Sequence, residues 1–203
     1  MRRRNFIPKG APEKTVGWSR IAEAAHRTAG LPPGESPGLE ATVFFRQDHP
    51  SWSFGAGIAL VRIDRDTGRV RLERFVAVDD CGNAINPLLV DGQIVGALAQ
   101  GIGQAITEHV VYGEAGELLT STFMEYALPR ADDMPELVLD RTVTPSPLNP
   151  LGVKGVGEGG ACVAPPAIVN AEVDALTPFG VTHVDTPLTA AEKIWRAICK
   201  AER

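Results

Sequence analysis

From residue 39 onward the apolar positions fall into short runs that predict strands. Leu39 to Phe45 reads as the first. Gly57 to Asp64 reads as the second, and Arg69 to Asp79, with Val70, Leu72, Phe75, Val76 and Val78 apolar, as the third. The polar turn Arg65-Asp66-Thr67-Gly68 joins the last two into a β-hairpin. The pattern then changes period. At 100° per residue Ile94, Val95, Leu98, Ile102, Ala105 and Ile106 share one arc, which predicts a helix from about Leu88 to Ile106. Pro87 suits its first position. Gln93, Gln100 and Gln104 take the opposite side, with Gly92, Gly96 and Gly103 along the flank.

Further along, Glu108 to Tyr112 and Leu118 to Ser121 read as a second hairpin, Glu136 to Val143 as a strand, and Val181 to Val184 as a short strand. Helices are expected at Ser19 to Thr28, from Pro165-Pro166 to about Leu176, and from Thr189 to Lys200. Hairpins mixed with separate helices give an α+β fold with mixed or antiparallel sheets and packed helices, not a βαβ series. The run Leu31-Pro32-Pro33-Gly34-Glu35-Ser36-Pro37-Gly38 is a linker by composition. It divides residues 1–38, an N-terminal segment, from a main domain at 39–203.

The chain has 203 residues, 44% of them hydrophobic, 22% charged, and a net charge of −5. That balance points away from nucleic acid and from anionic membranes as partners, and Arg2-Arg3-Arg4 is too short to change it. No apolar run is long enough to span a bilayer, and no secretory h-region follows the basic start, so a cytoplasmic protein is expected. Cys81, Cys162 and Cys199 are scattered without a C-x-x-C, and His26, His49, His109 and His183 are equally dispersed. Such spacing supplies neither an iron–sulfur nor a structural zinc site within this chain, and no metal ligand is assigned.

Candidate chemistry concentrates in Lys154-Gly155-Val156-Gly157-Glu158-Gly159-Gly160. Glycines let the backbone come close to a ligand, and a lone Glu in such a turn is presented as a general base would be. The bland alternative is a solvated turn. Gly155-x-Gly157-x-x-Gly160 also fits the dinucleotide-binding pattern, but the Pro-rich approach from Thr144 to Leu151 cannot be the buried strand that fingerprint needs. The glutamine face of the predicted helix is either an ordinary solvent face or a row of carboxamides, whose adjacent donor and acceptor suit the edge of a pterin or base. Gly92-x-x-x-Gly96 can serve ligand approach or close helix packing. The Asp80 to Asn86 loop can cap the helix or present polar groups to a ligand, with capping the preferred reading, and Cys81 is read as a small buried residue.

Several segments occur together in order: Val78-Asp79-Asp80-Cys81-Gly82-Asn83-Ala84-Ile85-Asn86-Pro87, Asp91 to Ala97, Gln100 to Ala105, Tyr126-Ala127-Leu128-Pro129, Gly152 to Gly160, and Ala164 to Ala171. From about Leu39 to Ile198 the chain closely resembles the C-terminal part of the molybdopterin-binding large subunit of the xanthine dehydrogenase, aldehyde oxidase and aerobic carbon monoxide dehydrogenase family. The resemblance implies an oxidoreductase that oxidises an aldehyde or hydroxylates an electron-poor carbon with water as oxygen source. It implies that Glu158 is the base beside molybdenum and that Gln93 contacts the pterin, with Gly92, Gly96 and Gln100 near it. It leaves Lys154 to hold the turn, to favour the ionised Glu158, or simply to stand in solvent, and Gly155 and Gly157 to line the cofactor. The cofactor expected is molybdenum–molybdopterin in a dinucleotide form. Iron–sulfur clusters and FAD are expected on partner chains only. Partners are then the rest of the molybdenum-binding region, an iron–sulfur subunit and a flavin subunit, and such a complex can reach the periplasm through a partner's signal. Residues 1–8 resemble a segment that lies well upstream in the family. This gives the competing reading, a non-catalytic remnant or assembly piece.

Overall fold

The computed structural model describes residues 5–7, 11, 13–27, 30–184 and 191–201. The Arg2 to Arg4 run and Thr189 lie outside them. Contacts group the chain into two units, residues 1–46 and residues 47–203. In the first, β1 (Asn5–Phe6) pairs antiparallel with β2 (Val16–Gly17), and α1 (Trp18–His26) follows directly. The ring of Phe6 meets that of Trp18 edge to face at 4.5 Å. Leu39 to Phe45 is not a strand. It finds no ladder partner among the described residues, and Val43, Phe44 and Phe45 stand exposed. A strand is made by its neighbour as much as by its residues, and none is supplied here.

The second unit is built on a three-stranded mixed sheet in the order β3-β4-β5. β3 (Phe54–Ile63) and β4 (Val70–Asp80) form the expected hairpin, antiparallel with a register shift at Leu60/Val61. Asp64 accepts from the amides of Asp66 and Thr67 at the turn. β5 (Glu136–Arg141) adds to β4 in parallel. The second predicted hairpin shrinks to a single bridge, Tyr112 to Leu118, and Val181 to Val184 is not a strand, although Val181 and Val184 are both buried.

α2 (Pro87–Ile106) keeps the expected bounds. The Asn86 side chain accepts from the Leu89 amide, and Pro87 occupies the first turn, where its missing N–H costs nothing. The buried stripe is shifted from the predicted arc: Ile94, Ala97, Leu98, Gly101, Ile102 and Ala105 are inside, whereas Val95 is exposed. The cause is α3 (Gly159–Leu176), which starts six residues before Pro165 and so carries both prolines inside. Its early turns press glycine against glycine-bearing backbone. A Cβ on Gly160 would fall 2.6 Å from the Leu98 amide nitrogen. The contact therefore runs along the small residues of α2, and bulky Val95 is left out. Gly160→Val is accordingly expected to destabilise the fold by about 1–3 kcal/mol, checked as a lower urea midpoint at unchanged m-value.

α3 lies on β3 and β4 and closes the main core, in which Leu72, Phe75 and Ala77 of the sheet meet Leu98, Ile102 and Ile168. A smaller core gathers Leu176, Val181 and Val184 around Ile194 and Ile198 of α4 (Ala191–Ala201). On the other face of the sheet Ile58, Leu60 and Val138 are exposed among the described residues.

Candidate functional site

The site grows from the place where β4 ends. Asp80 closes the strand, and the chain turns at Gly82, whose φ is +67°. Beside it runs the approach to the glycine-dense turn, bent at Gly152, also at φ +67°. Both positions need glycine twice over: for the left-handed backbone, and because a Cβ on Gly82 would lie 2.1 Å from the Gly152 carbonyl. The two segments are zipped together. Gly82 and Val153 form a bridge, the Lys154 amide donates to the Cys81 carbonyl at 2.8 Å, and the Asn83 amide donates to the Gly152 carbonyl at 3.0 Å. Asn83 Nδ2 also donates to the Leu151 carbonyl. The Asp80 to Asn86 loop is therefore both the cap of α2 at Asn86 and the backstop of the turn.

Lys154 turns inward. Its side chain is only 8% exposed, and its ammonium donates to Asp80 Oδ1 at 3.0 Å and sits 4.4 Å from the centre of the Phe54 ring. Asp80 is fully buried and also accepts from the Gly82 amide and the Thr142 hydroxyl. Burial pushes its carboxyl up, but Lys154, the Gly82 amide and the hydroxyls of Thr144 and Thr142 outweigh that and hold it well below the usual carboxylate range. Its neighbour Asp79 has no such partners among the described residues, and burial raises its pKa.

Past Lys154 the turn comes to the surface. Gly155 has open space where a side chain would stand, Val156 tucks against the main core, and Gly157 and Glu158 are exposed. Glu158 is the N-cap residue of α3. Its side chain makes no capping bond, while its carbonyl accepts from the Cys162 amide at 3.0 Å. The α2 face arrives here too. A Cβ on Gly157 would lie 3.3 Å from Gln93 Oε1, and nothing stands within 4 Å of the Cβ positions of Gly92 and Gly96. Among the described residues, Gly92-x-x-x-Gly96 is thus not used for helix packing. The structure brings together Gln93 and Gly157, the residue before Glu158. It does not bring in Gln100, two turns further along α2 and exposed, nor Gln104. Gln104 instead lines a hollow of about 310 Å³ with Glu108, Tyr126, Pro165 and Val169, where the Tyr126 hydroxyl donates to Glu108 at 2.5 Å. Among the described residues no group of three or more His, Cys, Asp or Glu could hold a metal ion.

Sequence reasoning gave no role to Thr142 and Phe54, and it placed Asp80 only in a loop read by preference as a helix cap. The signal was faint: an Asp next to a strand end is ordinary, and only its complete burial requires a cation beside it.

The sequence matches the model of a family described as molybdopterin cofactor-binding domain over residues 1–135. The match includes the first 38 residues, so the resemblance is not confined to residues 39–198. The carbon monoxide dehydrogenase large chain of Hydrogenophaga pseudoflava is 39% identical over 193 residues, 95% of this chain and 24% of that protein. The nicotine 6-hydroxylase large subunit of Paenarthrobacter nicotinovorans is 40% identical over 189 residues, 93% of this chain and 23% of that protein. Among solved structures, a copper- and molybdenum-containing carbon monoxide dehydrogenase in its carbon monoxide-reduced state superposes with a TM-score of 0.88 at 36% identity, covering 98% of this chain and 24% of that one. The chain spans about a quarter of the length of the relatives it matches.

Proposed function

The chain belongs to the molybdopterin cofactor-binding domain family of xanthine dehydrogenase-, aldehyde oxidase- and carbon monoxide dehydrogenase-type large subunits, and from that premise we propose that it forms one wall of a molybdenum hydroxylase site with Glu158 as general base. The observation that carries this reading is the meeting of the Gln93 carboxamide with Gly157, one residue from an exposed carboxyl.

The residues fit the group. Gly92, Gly96 and Gly155 leave open the space their side chains would fill, so a flat heterocycle can reach the backbone there. Gln93 offers it a donor and an acceptor side by side. Gly157 lets that amide approach the turn, and Gln100 extends the same polar face toward a longer ligand, the dinucleotide form. Lys154 contributes from behind, by holding the turn. When bound, the molybdenum cofactor supplies the oxygen-transfer and two-electron chemistry that side chains lack. Glu158 receives the proton released as oxygen from water is passed to the substrate carbon, an aldehyde or an electron-poor ring position. No side-chain bond of its own has to break first. The electrons leave to iron–sulfur and flavin groups on partner chains, and the assembly is cytoplasmic. Among the described residues no helix is long and apolar enough to cross a membrane.

This reading is favoured over a non-catalytic remnant by the chain's 39% and 40% identity to a carbon monoxide dehydrogenase large chain and a nicotine 6-hydroxylase large subunit. The test is elemental analysis of the assembly purified from its native source. Molybdenum in proportion to this chain is expected, with an equal amount of nucleotide released on acid hydrolysis. Gln93→Leu, at an exposed position, is expected to lower molybdenum content several-fold without changing the melting temperature. A colourless, metal-free assembly would remove the proposal.

A further inference from the structure

We propose that Asp80 is a positioning residue for the Glu158 turn, acting through its buried ion pair with Lys154. The inference rests on the reading of Glu158 as the base, and it gives a role to Asp80, to which none has been assigned.

The argument begins with what a glycine-dense turn lacks. Between Lys154 and Glu158 only Val156 has a side chain that reaches the core. Gly155 and Gly157 can neither pack nor hydrogen-bond through side chains, and each has a wide choice of backbone conformations. The placing of Glu158 is therefore decided by the two ends of the turn. One end is the first turn of α3, held by the Cys162 amide on the Glu158 carbonyl. The other end is Lys154, which is fixed at three points. Its amide donates to Cys81, its ammonium donates to Asp80 Oδ1, and the same ammonium lies over the Phe54 ring. Asp80 is itself fixed by the Gly82 amide at 3.0 Å and the Thr142 hydroxyl at 2.9 Å, so it ties together β4, the residue after β5, and the turn.

Two consequences follow from burial. A charge this enclosed cannot let go of its partner, because either ion alone would stand unsolvated. The latch is thus permanent at working pH, and the direction of the Asp80 shift agrees. The lysine charge is also neutralised 3.0 Å away by Asp80, so it is not spare for the exposed Glu158 or for an anionic group of a ligand. The pair sets geometry, not the charge of the site.

The test uses the native assembly carrying Lys154→Met, Lys154→Arg, and the double change Asp80→Asn with Lys154→Met. The single Met variant strands a buried carboxylate and is the one at risk of misfolding. The double variant removes both charges at nearly constant volume and keeps the fold testable. It is expected to retain its molybdenum, to show faster hydrogen exchange in the peptide spanning residues 152–158, and to lose kcat by about 10- to 100-fold with KM little changed, as a displaced catalytic group does. Lys154→Arg, which keeps the cation, is expected to recover most of kcat. Full turnover with unchanged exchange in the double variant would overturn the proposal. So would selective loss of molybdenum from both Met-containing variants with exchange unchanged, which would make Lys154 a direct ligand contact. Faster exchange at 152–158 with full turnover would support the latch and instead sink the assignment of Glu158 as base.

Discussion

Glu158→Gln is expected to lower turnover of the native assembly by about two to four orders of magnitude while its molybdenum content and melting temperature stay those of the parent. The structure makes this separation sharp. The Glu158 side chain is exposed and caps nothing, and the link between this residue and α3 is a backbone carbonyl that any residue provides. Gln has the same shape and can still hydrogen-bond, but it cannot take up a proton at neutral pH. A loss of rate with the metal retained therefore reports proton transfer and nothing structural. Asp79 is the nearby carboxyl that could stand in, since its Oδ1 lies 3.1 Å from where a Cβ on Gly159 would be. It is buried against the first turn of α3, however, and so does not stand on the open side where Glu158 is exposed. Steady-state kinetics beside metal analysis on one preparation is the check. Turnover within tenfold of the parent would mean that the proton leaves by another route.

How much of this was legible in the sequence differs by element, for reasons that can be given. The β3–β4 hairpin and α2 were readable because each is specified locally, by a polar turn ending in glycine, and by Asn86-Pro87 ahead of a 3.6-residue period. α3 was misjudged at its start. Pro165 looks like an opening residue, yet the helix begins at Gly159 because Gly160 lets it press on the α2 backbone, a long-range fact that no local pattern holds. Leu39 to Phe45 has strand-like residues but no neighbouring strand, and composition cannot supply one. Of the proposed site, the exposed residues Glu158 and Gln93 could be singled out because polar residues among glycines stand out, and the structure sets Gln93 against Gly157. The site's foundation was not legible. Asp80 and Lys154 are 74 positions apart, and each alone looks like a surface charge.

Glu172 is a further buried carboxyl, and it leads to a second large effect of the opposite sign. It lies on the same stripe of α3 as Ile168 and Leu176, is fully buried with them, and neither oxygen has a hydrogen-bond partner among the described residues. Burial pushes its pKa from the ordinary 4.5 up to about 8. The folded protein thus keeps the proton across a range in which the unfolded chain has already released it. Below pH 4.5 both states are protonated and this group leaves stability unchanged. As pH rises from there toward 8 the unfolded state gains from ionising, and the fold is progressively weakened. Glu172→Gln removes that titration while keeping the shape. Its buried amide has a cost of its own, but one that does not vary with pH. The variant is therefore expected to match or fall slightly below the parent near pH 4 and to overtake it by on the order of 3 kcal/mol at pH 8, roughly 5–10 °C in melting temperature. The measurement is a series of melts of parent and variant from pH 4 to pH 8.5. Parallel curves over that range would mean that the carboxyl has a partner or water in solution, and that its burial carries no pH-dependent cost.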